Sequence, residues 1–128
     1  AEVKDVMSKV RIFSIATASK NGVPNVVPIG MVKLVDDETI WIIDNFMDKT
    51  IKNIKENPII SFYVWNPECK DSYQIKGKCT VENSGKDYED AVQFAHAIMQ
   101  QAPAKNLIKM SVCKVYYTSP GPNAGKEL

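Results

Sequence analysis

Tyr73-Gln74-Ile75-Lys76-Gly77-Lys78-Cys79-Thr80-Val81-Glu82 is the stretch whose reading decides the fold. Tyr73, Ile75, Gly77, Cys79 and Val81 alternate with Gln74, Lys76, Lys78, Thr80 and Glu82. A period of two predicts a strand with one face on a core and the other in water. Before it, Ile59 to Trp65 is a β-branched and aromatic run, a second strand, broken by Asn66-Pro67-Glu68. After it, Ser84-Gly85-Lys86-Asp87 reads as a helix start with a serine cap and an early carboxylate. Tyr88, Ala91, Val92, Ala95, Ile98, Met99 and Ala102 then form one helical stripe, which Pro103 stops. Met110 to Thr118 is the last strand, and residues 119–128 show no periodicity.

The first half of the chain gives three more strands. Val3, Val6, Met7 and Val10 recur at helical spacing, and Arg11 to Ala18 reads as a strand. Asn21-Gly22 is the strongest hairpin signal present. The return strand spans Val23 to Val35 and contains Pro24 and Pro28. Proline donates nothing to a ladder, so this strand is an edge, is bulged, or bends at a ligand. Thr39 to Ile43 is continuously apolar and reads as central, and a helix with Ile51 and Ile54 on one face ends at Asn57-Pro58. Six strands with hairpin-length links predict an antiparallel sheet. Curling it into a barrel removes its edges. The expected fold is therefore mainly β, with a short N-terminal helix, a helix after strand three and a longer helix before strand six.

Composition narrows the function. The 128 residues suit one domain, and 45% are hydrophobic, so a core forms without staples. The balance of 16 basic against 15 acidic residues gives no global field for nucleic acid. No apolar run is long enough for a membrane helix, and no signal peptide is seen at the N-terminus. Cys69, Cys79 and Cys113 are scattered and His96 is the sole histidine, so no metal site is expected; reduced thiols point to the cytoplasm. His96 has no nucleophile in a motif beside it, so a catalytic triad has no support.

Two places carry chemistry. Lys49 and Thr50 stand in the first turn of a helix, where the dipole disfavours a cation. Either Asp48 caps the helix and Lys49 is solvated, or an anion, most simply a phosphate, lies on Lys49, the Thr50 hydroxyl and the free N–H groups. The second place is Val26-Val27-Pro28-Ile29-Gly30-Met31. It is either a bulged edge strand or a backbone that a flat, partly apolar ring approaches closely. Among Trp41, Phe46, Phe62, Tyr63, Trp65, Tyr73, Tyr116 and Tyr117, one or two could flank such a ring. The tail segment Gly121-Pro122-Asn123-Ala124-Gly125-Lys126 lacks the spacing, the hydroxyl and the following helix of a P-loop.

In order along the chain, residues 21–28 (Asn-Gly-Val-Pro-Asn-Val-Val-Pro), 44–50 (Asp-Asn-Phe-Met-Asp-Lys-Thr), 53–58 and 73–78 resemble the pyridoxamine 5′-phosphate oxidase-like family of FMN-binding split barrels. The short single-domain versions of anaerobes and archaea, whose tail is similar to Pro120 to Lys126, resemble it most. The resemblance implies a six-stranded split barrel over residues 1–128 and a homodimer with FMN at the subunit interface. It implies cofactor contacts from Val27, Pro28, Ile29, Gly30 and Met31 along the ring. Ile43, Asp44 and Asn45 would lie near the ribityl chain, and Lys49 and Thr50 on the phosphate. Trp65, Gln74 and the C-terminal tail would be the candidates to reach over from the partner subunit. The implied function is that of an FMN-dependent oxidoreductase or electron-transfer component acting on a small molecule.

The chain departs from the oxidase at one place. The oxidase has an arginine beside the phosphate lysine, where this chain has Asp48, and Arg11 is the sole arginine. Oxidation of pyridoxamine phosphate itself is therefore not expected. The alternatives are F420 in a groove lined by Lys76, Lys78 and Lys114, haem with His96 as axial ligand, or a non-catalytic flavin-storage dimer. No acid, base or nucleophile is identified.

Overall fold

The computed structural model describes residues 2–128. The elements are α1 (Glu2–Ser8), β1 (Phe13–Ala18), β2 (Pro24–Ile29), β3 (Val32–Leu34), β4 (Thr39–Asp44), α2 (Lys49–Glu56), β5 (Ile59–Val64), β6 (Tyr73–Glu82), α3 (Lys86–Ile98) and β7 (Asn106–Tyr117). Seven strands form one antiparallel sheet in the order β2-β1-β5-β6-β7-β4-β3. The expected second strand, 23–35, is thus two strands, and these are the two edges of the sheet. Only Gly30 and Met31 separate them in sequence. The sheet therefore curls until its edges are the two halves of one bent segment, a barrel split along β2 and β3.

The local chemistry explains the split. Ser19 N–H donates to Val23 O (3.0 Å) and Gly22 N–H to Ser19 O (2.9 Å), with Gly22 at φ +85°. This three-residue loop has a left-handed glycine at its end. Because Ser19 and Val23 form a hydrogen-bonded pair, Ala18 and Pro24 do not, and the alternation continues along the ladder. Pro24, Val26 and Pro28 thus turn their backbone N and C=O away from β1, the orientation in which proline costs the ladder nothing. The outer edge of β2 then offers carbonyls and the Val26 N–H, but no run of donors to close onto β3.

The inward face of β6 is the expected one: Tyr73, Ile75, Gly77 and Cys79 are buried. They pack with Ile15, Ile40, Ile42, Ile60, Phe62, Ile108 and Met110 inside the barrel. Phe13 and Phe62 meet edge to face at 5.8 Å. Each fully buried aliphatic side chain contributes about 1.5–3 kcal/mol. The opposite face of β4, Trp41 and Ile43, packs with Leu107 under Ala91 and Ala95 of α3. Burial on both faces explains the unbroken apolar run of β4, although it stands second from the edge.

Several boundaries differ from the sequence reading: β1 begins at Phe13 and not Arg11, β7 begins at Asn106 and not Met110, and both ends of α3 move. Gly85 (φ +97°), not Ser84, takes the cap position of α3, and no side chain caps it. The helix ends at Ile98, because Met99 is already extended (φ −142°, ψ 109°), and Pro103 lies beyond the end. The C-terminal tail turns back along β7: Tyr117 N–H donates to Lys126 O, Leu128 N–H donates to Val115 O, and Lys114 pairs with Glu127. It covers the part of β7 that extends past β4. No helix among the described residues is long and apolar enough to cross a membrane.

Two predictions follow from this packing. At the bulge between Lys76 and Gly77, a Cβ on Gly77 would collide with the Ser111 carbonyl oxygen and lie 2.9 Å from Met110 Cε. Gly77→Ala is expected to lower unfolding free energy by about 1–3 kcal/mol or more in urea denaturation. Second, burial pushes the Cys79 thiol from 9.0 to about 11 and the Tyr73 phenol from 10.0 to about 12. Both are raised, so the stability they contribute is complete below pH 9 and is lost as pH rises through 11 and then 12. The urea midpoint should stay level up to pH 9 and fall above it, with Cys79→Ala delaying the fall to the tyrosine range.

Candidate functional site

A cavity of about 1160 Å³ opens at the split. Its wall is the strip that runs from β2 through the Gly30-Met31 corner into β3: Val27, Pro28, Ile29, Gly30 and Met31 all line it. Asn25, Val27 and Ile29 share one face of β2, half-buried, by the period of two. Ile43 at the end of β4 and Asn45 just after it form the next side. Phe46, Met47 and Asp48 follow, and Lys49 and Thr50 begin α2 at the far end. Phe46 is the one member of the aromatic set above that lines the cavity, and it is 77% exposed at the mouth.

The α2 end has the features of an anion site. Asp48 stands at the cap position but its side chain makes no capping bond. The first bond of the helix is Lys52 N–H to Asp48 O, so the N–H groups ahead of it lack helical partners. No acidic residue lies in the first turn. Among the described residues Lys49 has no ion-pair partner. Thr50, by contrast, is only 1% exposed. Its Oγ1 accepts a hydrogen bond from Asn25 Nδ2 at 2.9 Å, and the same nitrogen donates to Thr17 Oγ1 at 3.2 Å. Asn53 Nδ2 also donates to Thr17 Oγ1, at 3.1 Å.

Three of the sequence-derived residues lie away from this cavity. Asp44 is 1% exposed, and its carboxylate accepts from Met47 N–H (2.9 Å) and Asn106 Nδ2 (2.8 Å). It fastens the turn that leads into α2 and does not face a ligand. Trp65 and Gln74 belong to the outside of the barrel. Asn45 lines the cavity but is also structural. Its Oδ1 accepts from Ala104 N–H (2.9 Å), where Ala104 is held at φ +45°. His96 bonds the Ala102 carbonyl (3.0 Å) and does not line the cavity. Lys76 and Lys114 pair across β6 and β7, with Lys76 over the Tyr116 ring and Lys114 on Glu127. They form no groove with the cavity.

Phe46 is the member of the aromatic set that the structure brings to the cavity, whereas Asn25, Arg11 and Met47 line it without having been selected from the sequence. Asn25 had a legible signal, since it alternates with Val27 and Ile29 and so shares their face. Arg11 and Met47 had none, because residues outside regular strands and helices carry no periodicity.

Comparison with known proteins identifies the family and the fold. The family model described as pyridoxamine 5′-phosphate oxidase matches residues 1–119, so the chain belongs to that family. An uncharacterized protein of Methanocaldococcus jannaschii is 39% identical over 118 residues, 90% of this chain and 78% of the relative. HupZ of Group A Streptococcus superposes with a TM-score of 0.84 at 27% identity, covering 97% of both chains. An FMN-binding protein from Syntrophomonas wolfei has a TM-score of 0.78 at 19% identity, over 94% of this chain and 85% of that one. The same fold, at 14% and 18% identity, also serves the haem storage protein HutZ of Vibrio cholerae (TM-score 0.71) and an F420 reductase (0.63). The fold is therefore a frame on which different cofactors sit, and the residues of the cavity must decide between them.

Proposed function

We propose that this chain is an FMN-binding flavoprotein, an oxidoreductase or electron-transfer component acting on a small molecule. The carrying observation is the single cavity end where Lys49, the uncapped first turn of α2 and the buried Thr50 hydroxyl converge. A terminal phosphate satisfies all three. The wall of Val27, Pro28, Ile29, Gly30 and Met31 then takes the ring, with Met31 and Met47 excluding water from it. When bound, FMN supplies one- and two-electron redox chemistry, and the protein supplies binding, orientation and electrostatics. Three free cysteines suit a reducing compartment, in keeping with a cytoplasmic protein.

We also propose that the working form is a homodimer. Val26, Ala16, Ser61 and Lys76 are cross-strand neighbours on the outer barrel face, as are Tyr63 and Gln74. Val26, Ile59, Tyr63 and Trp65 are each about half or more exposed there. An apolar sheet face of this kind marks an interface. In that dimer, Gln74 and Trp65 would be the residues that complete the cavity of the second copy.

Two measurements test these readings. In fluorescence-quenching titrations the wild type should bind FMN more tightly than riboflavin, which lacks the phosphate. Lys49→Ala should weaken FMN binding by about ten- to a hundredfold and leave riboflavin unchanged. Unchanged FMN affinity in Lys49→Ala would overturn the phosphate assignment. In sedimentation equilibrium Tyr63→Glu should turn a dimer into a monomer with weakened FMN binding. A wild-type monomer that holds FMN equally well would contradict the dimer.

A further inference from the structure

We infer that Asn25 is a positioning residue that makes Thr50 a hydrogen-bond donor toward the bound phosphate. The inference rests on the phosphate reading above and adds to it a device outside the lysine and the helix end.

Hydrogen-bond counting carries it. The Asn25 amide nitrogen has two protons, and it stands 2.9 Å from Thr50 Oγ1 and 3.2 Å from Thr17 Oγ1. A hydroxyl oxygen accepts two hydrogen bonds and donates one. Thr17 Oγ1 takes Asn25 Nδ2 on one side and Asn53 Nδ2 (3.1 Å) on the other, so both of its acceptor sites are filled. The Asn25 amide nitrogen faces both threonines, so they meet the donor end of the amide. Thr50 Oγ1 must then accept from Asn25, and its own proton must go elsewhere. Among the described residues the Thr50 hydroxyl makes no bond in which it donates. At 1% exposure it has almost no access to water, and it lines the cavity beside Lys49. A buried hydroxyl left with a proton to give is costly unless the ligand takes it. A phosphate oxygen does so. Were the amide reversed, Thr50 would donate to Asn25 and present only lone pairs to an anion, which repel it. Asn25 therefore sets the sign of the interaction.

Asn25→Asp tests this. The carboxylate accepts where the amide donates, so it captures the Thr50 proton. When protonated, it regains an O–H with which to donate. FMN and riboflavin are titrated against wild type, Asn25→Asp and Asn25→Ala between roughly pH 3.5 and pH 8. Taking the ratio to wild type at each pH removes the titration of the FMN phosphate itself. The expected result is that Asn25→Asp binds FMN about tenfold or more weakly at the alkaline end. Riboflavin should be unaffected, and the FMN deficit should shrink as pH falls through the carboxyl range. Asn25→Ala, which frees the hydroxyl without capturing it, should show a smaller deficit that does not vary with pH, and it decides the matter if the aspartate variant does not fold. The proposal is overturned if both variants keep the wild-type preference for FMN over riboflavin while Lys49→Ala loses it. It is also overturned if FMN and riboflavin weaken together at every pH, which is the signature of a merely structural role. If Lys49→Ala keeps the preference too, the phosphate reading itself has failed.

Discussion

Pro24 and Pro28 constrain everything else in this molecule. They sit in β2 with their ring nitrogens turned away from β1, where a continuing barrel would need N–H donors. The edge of β2 is thereby left open, and the chain bends at Gly30-Met31 to join the opposite end of the sheet as β3. The opening is the cavity. A barrel closed by a full ladder would have filled this space with paired backbone. Here the same strip that fails to close supplies the main-chain and apolar wall that a flat ligand requires. The core of the barrel, centred on Ile15, Ile42, Ile60 and Ile108, runs up to the cavity, since Met7, Phe13 and Met47 belong to both.

The second dependence is electrostatic and local. Lys49 at the start of α2 opposes the helix dipole, and Asp48 does not relieve it, since its side chain makes no capping bond. Three unsatisfied elements, a cation, free N–H groups and a buried hydroxyl, meet at one end of one cavity. Each is mildly unfavourable alone. Together they describe the outline of a phosphate. In the proposed reading, the departure from the oxidase, Asp48 in place of an arginine, would move part of the burden of anion binding from a guanidinium to the Thr17–Asn25–Thr50–Asn53 network.

Much of the fold was legible in the sequence because it rests on periodicity. The alternation from Tyr73 to Val81, the Asn21-Gly22 turn and the apolar run of β4 each have one physical reading, and the structure bears it out. The division of residues 23–35 into β2 and β3 was only half legible. The prolines announced an edge or a bend, but a bend that joins the two edges of one sheet is a tertiary fact. The cap of α3 was missed because Ser84 and Gly85 compete for it, and the positive φ selected glycine. Within the site, the strip 27–31 and the pair Lys49 and Thr50 were legible from proline, glycine and dipole arguments joined to a family resemblance. Asp44 was not, because a carboxylate near a helix start reads alike whether it faces a ligand or fastens a turn. Its bonds to Met47 and Asn106 show the second.

The central claim is that the split in this barrel holds FMN. Its most direct test is the absorption spectrum of the freshly purified protein, with any chromophore released and identified by mass, and with added FMN titrated into whatever fraction is colourless. A flavin spectrum and the mass of FMN are the predicted result. A haem or deazaflavin chromophore, or a colourless protein to which added FMN does not bind, would contradict it.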